Sequence, residues 1–283
     1  KIYQGVNQQK GLIQIAVDGL DPQDSILRIS PELPDTARDY YLFNKERDTL
    51  RYWFTSDEKD SILFAVKRNG SASDTISARI RKPAEVEFKR IISTQGLELD
   101  GHVFIDANKP IGEINPQYVQ LLDKDSLSRP FSLKPDSTFT RVEMLFPITQ
   151  NNNYRITILP EAFKSILGEI AKDTARTALK TRSTEDYGML TVNPVSFHQF
   201  PIIVQLVTPD KNTVVKEAIL DKPGKAVFKL IVPAKYLLRV IFDTNGNGRW
   251  DTVDYLKKQQ PEHVQYMNES ITIRPLWEEE VEW

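Results

Sequence analysis

Cysteine is absent from this 283-residue chain, which removes disulfides, thiolate metal sites and thiol nucleophiles together. That fits an exported bacterial protein at least as well as a cytosolic one. Histidine occurs three times, at His102, His198 and His263, far apart in the chain, which argues against zinc with its nitrogen and sulfur ligands. No glycine-rich phosphate cradle occurs: Gly246 and Gly248 follow a strand but open into Arg249-Trp250-Asp251 rather than a helix. No Gly-x-Ser-x-Gly elbow appears. No apolar run is long enough to span a bilayer, and a net charge of −2 gives no affinity for nucleic acid or an anionic membrane surface. Acids abound, as in Asp57-Glu58 and Glu278-Glu279-Glu280, but sequence alone does not separate paired catalytic carboxylates from solvated turns. The expectation is a protein that is not an enzyme.

What is present is short strands and many turns, with 17 prolines against 12 glycines. Leu12–Val17, Leu50–Phe54, Ile62–Val66 and Thr75–Arg81 read as strands, Thr75–Arg81 most cleanly, with one face apolar and the other polar. Turn clusters separate them at Asp21-Pro22, Pro31 to Pro34, Ser56-Asp57-Glu58 and Asn69-Gly70-Ser71. Strands without intervening helices predict a β-sandwich over residues 1–84. Lys82-Pro83 leads into a second unit, 85–186, with strands at Leu97–Leu99, His102–Ile105, Tyr118–Leu122, Val142–Phe146, Tyr154–Leu159 and Ala175–Lys180. One helix is expected, from Pro160 to about Ala171, on the spacing of Ala162, Phe163, Ile166, Leu167 and Ile170. A third all-β unit, 187–283, takes Ile202–Val207, Val214–Leu220, Ala226–Val232, Tyr236–Phe242 and Ile271–Ile273, with a hairpin expected around Pro233-Ala234-Lys235.

The sharpest chemistry lies in Asp243–Asp254. Oxygen-bearing side chains stand at loop positions 1, 3, 5, 9 and 12 (Asp243, Asn245, Asn247, Asp251, Asp254), and Gly248 stands at position 6. That pattern suits a hard cation such as Ca²⁺, with the Arg249 carbonyl at position 7 turned inward. An EF-hand would flank the loop with helices; here the entering segment Tyr236–Phe242 reads as a strand. Asn-Gly-Asn-Gly is equally a turn signal, and both readings stand at this point. Three carboxylates without a bidentate Glu would bind weakly, with Kd on the order of 10⁻⁴ to 10⁻³ M. Such an ion stiffens a loop and performs no reaction.

Two stretches resemble known families. Gly101–Ile105, Pro110–Ile114, Val119–Asp125 and Tyr154–Phe163 resemble bacterial Ig-like domains of surface-layer and envelope proteins. Val232-Pro233-Ala234-Lys235-Tyr236 through Asp243, followed by the Asp/Asn/Gly loop, is similar to transthyretin-like (prealbumin-like, Cna-B-related) domains, with Ala234 where such domains often carry glycine. Together they look like the C-terminal half of Ig-like-domain lipoproteins of Gram-negative envelopes. The resemblance implies an exported location in the bacterial cell envelope and a mechanical role. It also implies envelope proteins or glycans as partners. The Lys–Asn crosslink of some Cna-B-like domains is not carried over, because Phe197–Val207 contains no lysine. A chain that opens at Lys1 reads as a piece of a longer protein or a processed form, with a lipid anchor expected on the missing N-terminal part.

Exposed aromatics stack on sugars or partner surfaces, so Tyr40-Tyr41, Tyr52-Trp53, Trp250, Trp277 and Trp283 are candidates for a binding face. The alternative is that they fill cores and seams, with Trp250 packing the loop against its own domain. Two functions are therefore carried forward: a non-catalytic spacer or scaffold, and a glycan- or protein-binding module of a surface uptake or adhesion system.

Overall fold

Period-two alternation makes one face of a strand apolar, and such strands bury that face only by stacking. The computed structural model describes residues 5–17, 20–33, 37–44, 47–55, 60–80, 85–93, 96–253 and 260–283. The fold is all-β, built of stacked sheets. Helical backbone among the described residues is limited to single 3₁₀ turns at Pro116–Tyr118, Pro160–Ala162 and Thr184–Asp186. Two compact units divide the chain. One takes Lys1–Leu97, Gly101–Pro147 and Asn153–Lys180; the other takes Glu98–Asp100, Ile148–Asn152 and Thr181–Trp283.

The first unit opens with β1 (Gly5–Gln9), β2 (Leu12–Ala16), β3 (Ser25–Ser30), β4 (Asp39–Phe43), β5 (Thr49–Phe54), β6 (Ser61–Arg68) and β7 (Ser71–Arg79). Their order is β3-β6-β7-β1-β2-β5-β4. Strand β1 runs antiparallel to β2 and parallel to β7, so it passes from one half of the sheet to the other. The halves then face each other. Ile13, Ile15, Leu50, Tyr52 and Phe54 pack with Ile26, Ile62, Phe64, Val66, Ile76 and Ala78. The outermost strands meet where the Arg28 backbone N–H donates to the Tyr41 hydroxyl at 2.8 Å.

The same unit continues with β8 (Arg90–Ser93), β9 (Val103–Ala107), β10 (Ile111–Ile114), β11 (Val119–Leu122), β12 (Ser132–Pro135), β13 (Arg141–Leu145), β14 (Asn153–Ile158), β15 (Phe163–Ser165) and β16 (Ala175–Lys180). They form sheets β12-β13-β9-β8 and β11-β14-β16 with the pair β10-β15. Arg90 of β8 ties the two larger sheets together. Its side chain is fully buried, and its guanidinium donates to the Ile158 carbonyl of β14 at 2.9 Å and to Asp173.

The second unit holds β17 (Gly188–Asn193), β18 (Ile202–Val207), β19 (Val214–Leu220), β20 (Ala226–Ile231), β21 (Lys235–Phe242), β22 (Val264–Tyr266), β23 (Ile271–Thr272) and β24 (Glu278–Glu282). Sheet β20-β17-β24 stacks on β19-β18-β21-β22, with β23 paired to the start of β21. Leu190, Val192 and Phe228 from one sheet pack with Ile202, Val204, Leu206, Leu238 and Val240 from the other.

Three expectations are corrected. The helix from Pro160 to Ala171 does not form. After one 3₁₀ turn, Phe163–Ser165 pairs with β10, and the chain reverses at Gly168, whose φ is +80°. A glycine inside so short a helix costs about 1 kcal/mol against alanine, whereas a tight turn uses its freedom. Leu97–Leu99 is not a strand; the pairing falls earlier, at Arg90–Ser93. The segment Pro233-Ala234-Lys235 does not close a hairpin, because β20 and β21 belong to different sheets. It is an arch between layers, fastened by the Tyr236 hydroxyl donating to the Val232 carbonyl at 2.7 Å, the arrangement known as a tyrosine corner.

Candidate functional site

Strand β21 delivers Asp243 to the edge of the sandwich, where its backbone N–H donates to the Pro201 carbonyl at 3.2 Å. Asp243 is 1 % exposed. One oxygen accepts from the Asn247 N–H at 3.0 Å and the other from the Gly248 N–H at 2.7 Å. The loop therefore winds around its first residue. Asn245 Oδ1 accepts from Asn247 N–H, and Asn247 Oδ1 accepts from Arg249 N–H, both at 3.0 Å. The two side-chain amides donate to one Asp251 oxygen, Asn245 at 2.5 Å and Asn247 at 2.7 Å.

The structure thus brings Asp243, Asn245, Asn247 and Asp251 into one coil, with the Arg249 N–H bonded to Asn247. Asp254 lies outside the described residues, as do Asp57 and Glu58. Among the described residues, no three His, Cys, Asp or Glu side chains are grouped to hold a metal by themselves. Amide and carbonyl oxygens must then complete any cation shell here, which suits a hard ion bound weakly.

Sequence reasoning missed Glu262. It is 5 % exposed, and it closes the loop from below. One carboxylate oxygen accepts from the Thr244 N–H at 2.7 Å and the other from the Asp251 N–H at 3.1 Å. A lone acid eight residues beyond the motif carries no spacing signal, so only the fold reveals it. Its backbone carbonyl accepts the Trp250 indole N–H at 3.1 Å.

Trp250 ties the loop to its own domain through that bond, yet its ring stays 46 % exposed. Trp277 is also exposed, while Tyr52 and Trp53 are both buried on opposite faces of β5. Tyr52 belongs to the first sandwich core. Trp53 and its register neighbour Leu12 point the other way, yet are only 3 % and 8 % exposed. Tyr40, paired with Trp53 across β4 and β5, meets Phe139 edge-on at 5.9 Å. Its hydroxyl donates to the Ser137 carbonyl at 3.3 Å.

A cleft of about 460 Å³ lies beside this seam. Phe54, Val86, Phe88, Leu167 and Ile170 give it apolar walls. Its charged groups are already paired, Lys10 with Glu85 at 2.5 Å and Lys172 with Glu87 at 2.7 Å. Those lysines hold both carboxyls below the usual carboxylate range, so the rim offers no uncompensated charge at neutral pH.

No family model and no curated protein matches the chain. Solved structures similar to it share its strand-built character at low identity. A native alpha-2-macroglobulin fragment from Escherichia coli is 12 % identical over 63 % of this chain and 70 % of that one, with a TM-score of 0.32. A titin fragment is 10 % identical over 85 % and 90 %, with a TM-score of 0.24. A mixed-linkage glucan utilization protein from Bacteroides ovatus, SGBP-B, solved with a mixed-linkage heptasaccharide, is 11 % identical over 80 % and 65 %, with a TM-score of 0.26. Likeness at this level says nothing about activity.

Proposed function

We propose that the chain is a non-catalytic structural protein of the bacterial cell envelope, a tandem β-sandwich spacer or scaffold. The modules are 1–84, 85–186 and 187–283, with envelope proteins or glycans as partners. The seam within the first unit carries this reading. Leu12 and Trp53 use the outward face of the first sheet, which solvent would otherwise cover, and are withdrawn from water, with Tyr40 half-buried beside them. Each large apolar side chain so buried contributes roughly 1.5–3 kcal/mol. A flexible tether between binding modules has no use for such a seam; a stiff spacer does. NMR relaxation on the intact chain tests it. Amides of β1–β7 and of β9–β16 share one rotational correlation time if the seam holds, and two distinct values would overturn the spacer.

The loop at Asp243 is proposed as a weak structural Ca²⁺ site. Its ligands are Asp243, Asn245, Asn247, the Arg249 carbonyl, Asp251 and Asp254. The all-oxygen donor set and the coil wound around Asp243 support it. Thermal unfolding with calcium and with chelator tests it.

A further inference from the structure

The four tryptophans of this chain are treated differently by the fold. Trp53 is buried, and half-buried Trp283 packs edge-on against Phe197 at 5.1 Å. Trp277 is exposed, but the Arg274 guanidinium sits 4.5 Å from its ring centre. Trp250 is 46 % exposed, and among the described residues no ring or cation stacks on it. It is nevertheless anchored. Its indole N–H is tied to the carbonyl of Glu262, whose carboxylate is held by the N–H groups of Thr244 and Asp251. A large apolar ring kept at the surface in one orientation loses little rotamer freedom when something lies against it.

The neighbouring polar groups are also fixed. Exposed Asn245 and Asn247 point their amides at the same Asp251 oxygen. Each amide keeps a second N–H, and the carboxylate keeps lone pairs. Donors and acceptors are thus interleaved within a few residues of the ring. Interleaved donors and acceptors suit hydroxyl groups, which do both.

We propose that this loop is a binding subsite for a neutral carbohydrate. A pyranose has an apolar C–H face and a rim of hydroxyls that both donate and accept. Trp250 takes the C–H face, and the Asn245, Asn247 and Asp251 groups take the hydroxyls. The apolar half of the indole supplies contact area while its polar edge stays tied to the protein. This rests on the proposal that glycans are partners and gives it a site, whereas the spacer reading stands or falls on the first unit alone.

The test is isothermal titration of the intact chain with a panel of neutral cello-, malto-, manno- and xylo-hexaose, each in calcium and in chelator. At least one sugar binds, and Trp250→Ala weakens it by about tenfold or more, the size of a hot-spot aromatic. Trp277→Ala leaves it unchanged. Because Trp250→Ala also removes a loop anchor, backbone shifts of the wild type provide a second readout, and on adding the bound sugar they concentrate at residues 244–253. No binding across the panel, or shifts centred elsewhere, would overturn the subsite.

Discussion

Leu167 presses so closely on Gly11 that a Cβ built there would lie 2.8 Å from its Cδ1 and 2.9 Å from the Phe54 carbonyl oxygen. Gly11 turns β1 into β2 at φ +75°, a conformation that side chains with a Cβ rarely adopt. One glycine thus serves the first sandwich and the seam that joins it to the 163–172 hairpin. Gly11→Val should cost roughly 2–3 kcal/mol in urea unfolding, through backbone strain and the clash together. A loss under about 0.5 kcal/mol, the size of an ordinary surface change, would mean that the contact is slack.

The arch of the second unit rests on Tyr236 and Val232. Tyr236→Phe removes the donor and strands a carbonyl, at a cost of about 1–2 kcal/mol. Midpoint shifts in thermal unfolding should appear in the second unit and leave the first unit's transition in place.

Alkaline pH probes the same unit. Burial, reinforced by the Glu98 carboxylate that accepts its hydroxyl at 2.5 Å, pushes Tyr187 up from 10.0 to about 12. The folded pKa lies above the unfolded one, so Tyr187's contribution is complete below pH 10 and is lost as pH rises through about 12. Stability measured across that window should fall, and Tyr187→Phe should flatten the fall. Parallel slopes would contradict this origin.

Calcium binding makes a separate demand. With a Kd near 1 mM, a Ca²⁺ concentration of about 10 mM adds roughly 1.4 kcal/mol to the loop's domain. The thermal midpoint rises with calcium and returns with chelator. Asp243→Ala lowers the midpoint in both conditions, because two N–H groups lose their acceptor, and it abolishes the difference between them. A wild-type midpoint indifferent to chelator retires the site.

Strands whose pattern depends on near neighbours were legible in the sequence. Leu50–Phe54, Ile62–Val66, Ala175–Lys180 and Ile202–Val207 all form paired strands. The misreadings arose where two local signals competed and distant residues decided. Ala162 to Ile170 fits a helical stripe, but β10 offered a partner and Gly168 a turn. Val232 to Lys235 looks like a hairpin unless one knows that β18 and β17 lie in separate layers. In the loop, Asp243, Asn245, Asn247 and Asp251 announced themselves by spacing. Glu262 did not, because its role comes from a return of the chain that no periodicity encodes.

The absence of cysteine gives a clean route to the central claim. Spin labels placed at Ser71→Cys, exposed in β7, and Ser128→Cys, exposed beyond β11, report the distance across the seam by pulsed electron resonance on the intact chain. A stiff spacer gives one narrow distribution that broadens when Gly11→Val is added. A broad distribution in the parent chain, unchanged by that substitution, would contradict it.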